Sequence, residues 1–232
     1  MILDFLETKE FRYERKFLID ELDKYEVEEV IKQNPFMFSK IFYERIVNNI
    51  YLDSIDLNSY YDNLIGISQR FKIRIRWYGK LGGLIQKPVL EIKIKNNDLG
   101  AKLSFPLNSF KIDKNLSMGV LIKEVISKSN LPQWLVEHIK SLKFALLNRY
   151  KRRYFMTVNK KYRVTLDFDL EFYRIHPINN LFVEQIKHED YVILELKYGK
   201  NWDSDAEKIT NFFPFRLTKN SKYVCGIESI SF

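Results

Sequence analysis

Four segments of the chain alternate charged and apolar residues strictly: 72–77, 90–95, 163–170 and 192–197. A strand sends successive side chains to opposite faces, so each segment predicts a strand with one apolar and one ionic face. A half-exposed sheet shows the same alternation with assorted polar residues toward water. Here the polar positions are almost purely Lys, Arg, Glu and Asp, with both signs on several strands. Residues 11–19 predict a first strand with Arg12, Glu14 and Lys16 on one face and Tyr13, Phe17 and Ile19 on the other. Asp20 reads as the N-cap of an amphipathic helix to about Gln33, stopped by Pro35. Residues 46–52 predict a strand, and 53–62 a short helix or turn capped by Asp53 or Ser54. Residues 70–78 and 89–95 pair antiparallel across a glycine-rich loop, 79–83. That loop lacks the Walker spacing and a following helix, so it reads as a hairpin connection rather than a phosphate cradle. Residues 100–107 add a strand, and 115–129 and 132–147 show helical spacing. Strands follow at 148–158, 162–172 and 191–198, then a helix at 203–213 and a closing strand at 222–228, which would hold Cys225.

The apolar faces need covering, and the inserted helices can cover them from outside. The charged faces then point inward, into a closed barrel wide enough for water and ligand. The predicted class is α+β: a closed antiparallel β-barrel of about eight strands around a polar, basic tunnel, with helices packed outside. An apolar interior with charges outside would leave the helices little to pack on. No repeat or low-complexity linker divides the chain, so residues 1–232 read as one domain with its core at about 11–226. Its 18 Phe and 14 Tyr, within 46% hydrophobic residues, favour strands.

A net charge of +8 points to an anionic partner: nucleic acid, phospholipid or a phosphorylated small molecule. A lumen lined by Lys16, Arg74, Arg76, Lys93, Arg152, Arg163, Lys197 and Lys222 repels itself when empty. Polyanion and counter-carboxylates neutralise it, and an unpaired buried ion costs roughly several kcal/mol. Arginine offers a planar fork to phosphate and lysine a point charge, so the mixture suits several phosphates in a row. Glu14, Glu91, Asp167, Asp169, Glu171 and Glu195 are partners for these cations, and one to three of them are candidate ligands of Mg²⁺ or Mn²⁺. Such hard ions usually bind through one or two carboxylates plus substrate phosphate.

The single cysteine, Cys225, excludes an internal disulfide and fits a reducing cytosol. The acidic, mixed N-terminal stretch does not resemble a secretory signal, and no apolar run approaches the roughly 20 residues of a membrane span. A cytoplasmic protein is expected. Nucleic-acid binders combine external basic grooves with exposed aromatics; the strand arginines here point inward, so no specific nucleic acid is expected. Lys111, Lys114, Lys123, Lys128, Lys140 and Lys160 read as a solvated exterior, able to hold emerging polyanion or a membrane surface.

These segments, in order, resemble the VTC domain, the catalytic module of the vacuolar transporter chaperone polyphosphate polymerase, within the CYTH or triphosphate tunnel metalloenzyme superfamily. Arg12-Tyr13-Glu14-Arg15-Lys16-Phe17 is similar to the opening strand, a relaxed ExExK signature. Ile50-Tyr51-Leu52-Asp53 with Tyr60-Tyr61, Arg74-Ile75-Arg76-Trp77-Tyr78-Gly79 and Glu91-Ile92-Lys93 resemble the next elements. Asn148-Arg149-Tyr150-Lys151-Arg152, Arg163-Val164-Thr165-Leu166-Asp167, Leu194-Glu195-Leu196-Lys197-Tyr198 and Ser221-Lys222-Tyr223 complete the series. The resemblance covers about residues 11–226.

The resemblance implies transfer of the γ-phosphoryl group of ATP to a growing polyphosphate chain. Lys16, Arg74, Arg76, Lys93, Arg152 and Lys222 would be catalytic, and Tyr150, Arg163, Lys197, Lys219 and Ser221 substrate-binding. Glu195 would carry the metal, Mn²⁺ or else Mg²⁺, with Glu14 and Glu91 as further candidates. The implied partners are ATP, inorganic polyphosphate or pyrophosphate, and membrane-bound or regulatory subunits that would hold the chain peripherally at a membrane. An ionised phosphate oxygen needs no general base, which agrees with the lack of a catalytic candidate among His138, His176 and His188. Arg12 replaces the first Glu of ExExK, which removes one potential metal ligand. Two alternatives stand beside the polymerase: a tunnel triphosphatase acting on inorganic, nucleoside or thiamine triphosphate, and a non-catalytic binder of polyphosphate or inositol phosphates. A lumen blocked at one end would favour the triphosphatase.

Overall fold

The computed structural model describes residues 10–176, 180, 182 and 184–230. The elements run β1 (Arg12–Ile19), α1 (Lys24–Gln33), β2 (Phe38–Asp53), α2 (Asn58–Leu64), β3 (Gln69–Tyr78), β4 (Gly83–Ile85), β5 (Val89–Asn96), β6 (Leu99–Pro106) and β7 (Phe110–Ile112). They continue α3 (Met118–Glu124), α4 (Gln133–Lys140), β8 (Lys143–Thr157), β9 (Tyr162–Tyr173), β10 (Gln185–His188), β11 (Val192–Gly199), α5 (Asp203–Asn211) and α6 (Lys222–Ile230).

Antiparallel strands run in the order β9-β11-β1-β6-β5-β3-β2-β8, and β8 pairs back onto β9, so they close into a ring. Strand β10 adds to β9, while β4 and β7 form a separate small ladder. The alternation read from the sequence becomes registered charge across this ring: Lys16 stands opposite Glu195, Glu14 opposite Lys197, Arg74 opposite Glu91 and Arg152 opposite Asp167. Opposite charges directly across antiparallel strands attract, which helps hold this register.

The outward face carries two apolar layers. Ile50, Ile73, Ile75, Leu90, Ile92 and Leu103 pack under Leu121 of α3 and Leu135 and Ile139 of α4. Phe17, Val164, Leu166, Leu194 and Leu196 pack under Val27 and Ile31 of α1 and Ala206 and Ile209 of α5. The helices therefore cover the apolar outside and leave the ionic face within. A third cluster lies on the inner face. Val47, Tyr51, Leu146, Tyr150, Leu170, Phe172 and Ile193 enclose Tyr223 and Ile227 of α6, so this helix fills one end of the ring.

Helix α6 is a correction, since residues 222–228 were expected as a strand. Lys222, Tyr223, Gly226 and Ile227 are its buried positions, a helical spacing, and Ser221 Oγ accepts a hydrogen bond from Val224 N at its start. Cys225 accordingly lies on a helix. Helix α4 stops at Lys140, short of the expected 147, because residues 143–147 extend β8 along β2. The cap of α1 is Asp23 rather than Asp20: its carboxylate accepts from Tyr25 N and Glu26 N, and Glu26 returns a bond to Asp23 N. Asp53, expected as a cap, accepts from Ser59 N and Tyr60 N at 3.0 Å each and from the Tyr223 hydroxyl, tying α2 to α6. No helix among the described residues is long and apolar enough to cross a membrane. Apart from Glu10, the N-terminal stretch read for a signal lies outside the described residues.

Candidate active site

The ring encloses a lumen of about 530 Å³. Alternation on β3 sends Lys72, Arg74, Arg76 and Tyr78 into it, and β8 contributes Tyr150, Arg152 and Tyr154. Glu14 and Lys16 of β1, Lys93 of β5, Arg163 and Thr165 of β9, and Glu195 and Lys197 of β11 complete the walls. Ser221 and Lys222 reach in from the start of α6.

The cations are held by carboxylates placed behind or between them. Glu195 lies 2.6 Å from Lys197, 3.5 Å from Lys222, 3.6 Å from Arg152 and 3.7 Å from Lys16. Burial pushes its pKa up, but these four cations outweigh burial and hold it well below the usual carboxylate range. Asp167 is fully buried behind Arg152, bonds its guanidinium at 2.6 Å, and pairs with Lys222. Burial lowers the Lys222 pKa, yet Asp167 and Glu195 raise it more, so this amine stays charged. Glu91 is buried between Arg74 at 2.8 Å, Arg76 at 3.5 Å and Lys102. It backs the arginines rather than lining the cavity. Glu14 bonds Lys93 at 2.7 Å; burial raises its pKa, and Lys93, Lys197 and Lys16 bring it below the ordinary value.

Neutral groups finish the orientation. Arg76 donates from Nε to Asn49 Oδ1 at 2.8 Å and from Nη2 to the Tyr150 hydroxyl at 3.2 Å. Burial resists ionisation of Tyr150, but Arg152 and Arg76 overcome it and lower the pKa. Lys16 donates to the Asn220 carbonyl at 2.7 Å, which anchors the segment before α6.

Of the residues assigned catalytic, substrate-binding or metal roles, all but Glu91 and Lys219 line the lumen, and Asp167, read as a lumen carboxylate, lies buried behind its wall. Lys219 is exposed outside it. Asp169 and Glu171, read as lumen carboxylates, are a correction. Asp169 has φ +50°, and the register shifts between Arg149 and Lys151 on the neighbouring strand, so the alternation breaks there. Asp169 instead meets Lys24 and Lys151, and Glu171 accepts from the Tyr173 hydroxyl. Lys72 and Thr165 were missed, although both share the face of named neighbours two residues away. Lys72 donates to Ser221 Oγ at 2.8 Å and has no carboxylate partner among the described residues. Burial, then Lys16, Lys93, Arg70 and Arg74, hold its pKa well below the ordinary lysine value. Thr165 Oγ1 is buried on the lumen wall without a hydrogen-bond partner among the described residues. An orphaned hydroxyl there suits a phosphate oxygen as acceptor.

Residues 11–231 match the VTC domain. This chain belongs to the VTC domain family. Among curated proteins no sequence matches it. Among solved structures, a Hippeastrum protein named as a candidate adenylyl cyclase, with a dominant triphosphatase activity, shares 13% identity and a TM-score of 0.52. That likeness covers 95% of each chain. A Bacillus halodurans protein named as a candidate adenylate cyclase shares 13% identity and a TM-score of 0.51, covering 92% of this chain and 95% of its own. At such identity these likenesses establish that the VTC domain shares their fold.

The VTC lumen contains no histidine among the described residues. His138 packs against Phe71, His176 meets Glu184, and His188 meets Ser229. No cluster of three or more His, Cys, Asp or Glu side chains is gathered as metal ligands among those residues. The donor set does fit a hard cation that shares substrate phosphate oxygens, since Glu195 and Glu14 are ionised lumen carboxylates close enough to affect each other's charge.

Proposed function

We propose that this VTC domain is a phosphotransferase that passes the γ-phosphoryl group of ATP to inorganic polyphosphate. The observation that carries the reading is the electrostatic state of the lumen. Glu14, Glu91, Asp167 and Glu195 are all held below the ordinary carboxylate pKa, and no histidine lines the lumen among the described residues. Such carboxylates are poor bases for activating water near neutral pH. A terminal phosphate oxygen is already ionised and needs no base, so positioning and charge neutralisation suffice.

In this reading Arg74, Arg76 and Arg152 offer forks to phosphate oxygens, and Lys16, Lys93 and Lys222 supply point charge around them. Tyr150, Ser221 and Thr165 add hydrogen bonds, and Arg163 and Lys197 hold phosphates nearer the mouth. Glu195, with Glu14, would hold Mn²⁺ or Mg²⁺. When bound, the ion would neutralise charge on the phosphate oxygens it shares with these carboxylates. Glu91 orients Arg74 and Arg76 and is not assigned a ligand role.

One observation favours a second reading, a tunnel triphosphatase. With α6 filling one end of the ring, nucleotide and polymer would share one mouth, a crowding that a hydrolase avoids. Incubation of purified protein with ATP and Mn²⁺, resolved by gel and phosphorus NMR, separates the two. A polyphosphate ladder with stoichiometric ADP is expected. Orthophosphate with ADP and no polymer would transfer the assignment to the triphosphatase, and no turnover would leave a binder of polyphosphate.

A further inference from the structure

The lumen cations account for the phosphates of a nucleotide and leave its base without a place. The rim supplies one. Lys72, Arg74, Arg76 and Tyr78 follow one another along one face of β3 at two-residue steps, about 6.7 Å each in a strand. The row is three cations and then, at the mouth, an aromatic ring. On β8 the same face runs Tyr150, Arg152, Tyr154 and likewise ends in an aromatic.

Strand β2 extends this rim. Its pairing with β3 ends at Val47 opposite Tyr78, while residues 38–45 continue along β8 alone, with register shifts on both sides of Phe42. Phe42 is 45% exposed, Tyr78 50% and Tyr43 94%, beside an otherwise well-filled ring. Arg45 lies among these rings, its Cζ 4.6 Å from the centroid of Phe42, 5.5 Å from Tyr154 and 5.6 Å from Tyr78. The nearby carboxylates are taken by other cations, Glu44 by Arg153 at 2.9 Å and Asp167 by Arg152. A guanidinium plane stacks on aromatic and base faces alike, and is weakly hydrated enough to be covered.

We infer that Tyr78, Phe42 and Arg45 form a stacking shelf at the mouth for the base of a nucleoside triphosphate. The inference rests on the reading of the lumen as a triphosphate site. A phosphate held at Arg76 leaves the sugar and base one strand step farther out, beside Tyr78. Every base has a π-face, so the shelf grips nucleotides with little discrimination between adenine and guanine. It also separates nucleotide from polymer: inorganic chains gain nothing from the rings.

The test is equilibrium binding of ATP, GTP and tripolyphosphate to the full chain, wild type and Tyr78→Ala, with Phe42→Ala as an independent second variant. Loss of the ring should weaken ATP and GTP alike by about fivefold or more and tripolyphosphate by less than about twofold. Tyr78→Trp should keep nucleotide binding. Unchanged ATP affinity in both alanine variants, or equal losses for ATP and tripolyphosphate, would overturn the shelf. If the wild-type protein binds tripolyphosphate but ATP no better in the presence of the rings than without them, only the shelf falls. If it binds neither ligand, the triphosphate reading of the lumen falls and takes the shelf with it.

Discussion

Lys72 is the lumen cation whose surroundings do least to keep it charged. It has a hydroxyl partner and four cationic neighbours, and burial adds to their effect. Lys95, near the same strands, is lowered to about 8 by burial and then by Lys93, Lys16 and Arg70 against the pull of Glu14. A polyanion reverses the local potential and favours protonation of both amines. The bound state then holds more protons than the free state, so affinity falls as pH rises. For Lys95 that window runs from about 8 to the ordinary 10.5. In the same window the unfolded chain holds more protons than the empty native one, so unliganded stability rises with pH. Calorimetric titration of tripolyphosphate at pH about 8.5, in two buffers of different ionisation enthalpy, should reveal net proton uptake, reduced in Lys72→Met. Equal heats in both buffers would mean the amines are charged before the ligand arrives. Thr165 gives a second, neutral probe. Thr165→Val keeps the volume and removes the orphaned hydroxyl; it should weaken tripolyphosphate about tenfold while the empty protein stays as stable or gains stability. Unchanged affinity would show that this hydroxyl meets no phosphate.

Helix α6 depends on Gly226. A Cβ there would lie 2.4 Å from Leu146 Cδ2 and 2.6 Å from Phe172 Cδ1, inside the closed ring. Gly226→Ala should destabilise the protein by about 1–3 kcal/mol by overpacking, read as a lower urea midpoint at unchanged slope. An unchanged midpoint would mean α6 can withdraw from the inner face without cost. This helix is also where the sequence misleads. Tyr223, Val224, Cys225, Gly226 and Ile227 are all weak helix formers, and short apolar runs fit strand and helix alike. The readable signals were Ser221 as a cap and the spacing of Lys222, Tyr223, Gly226 and Ile227, both easily overridden by β propensity. By contrast β3, β5 and β11 are legible because a strict two-residue alternation of ions and aliphatics has no helical counterpart. The same rule locates Arg74, Arg76, Lys93 and Glu195 on the inner wall. It fails for Asp169, because a bulge on β8 and a left-handed backbone at Asp169 are tertiary features that leave no trace in the alternation. Lys219 is exposed on a segment that runs along β1 toward α6, and only the fold shows that it lies outside the lumen.

The ring as a whole has one thin joint. β1 pairs with β11 along its full length, from Arg12 opposite Gly199 to Ile19 opposite Val192, but meets β6 only at Arg12–Gly100 and Tyr13–Leu99. Farther in, this edge of β1 is met by the segment before α6, with Phe17 opposite Leu217 and Thr218 N donating to the Lys16 carbonyl at 2.8 Å. The ion pair between Glu14 of β1 and Lys93 of β5 crosses the seam. The fold therefore relies on lumen charge for closure as well as on its outer apolar layers. Glu14, Glu91, Asp167 and Glu195 all have native pKa values below their unfolded ones. Their contribution is complete above the ordinary carboxylate range and is lost as pH falls through the native values. Each proton added also removes a negative charge from a lumen crowded with Lys and Arg, so the remaining cations push the walls apart. The melting temperature should fall progressively once pH drops below about 4.5, and tripolyphosphate, by supplying the missing anions, should recover much of the loss. Hydrogen exchange at acid pH should open Leu99 and Gly100 before the paired centre of β11. A flat melting profile down to pH about 3 would show that the apolar layers close the ring unaided; early exchange elsewhere would move the weak joint away from β1 and β6.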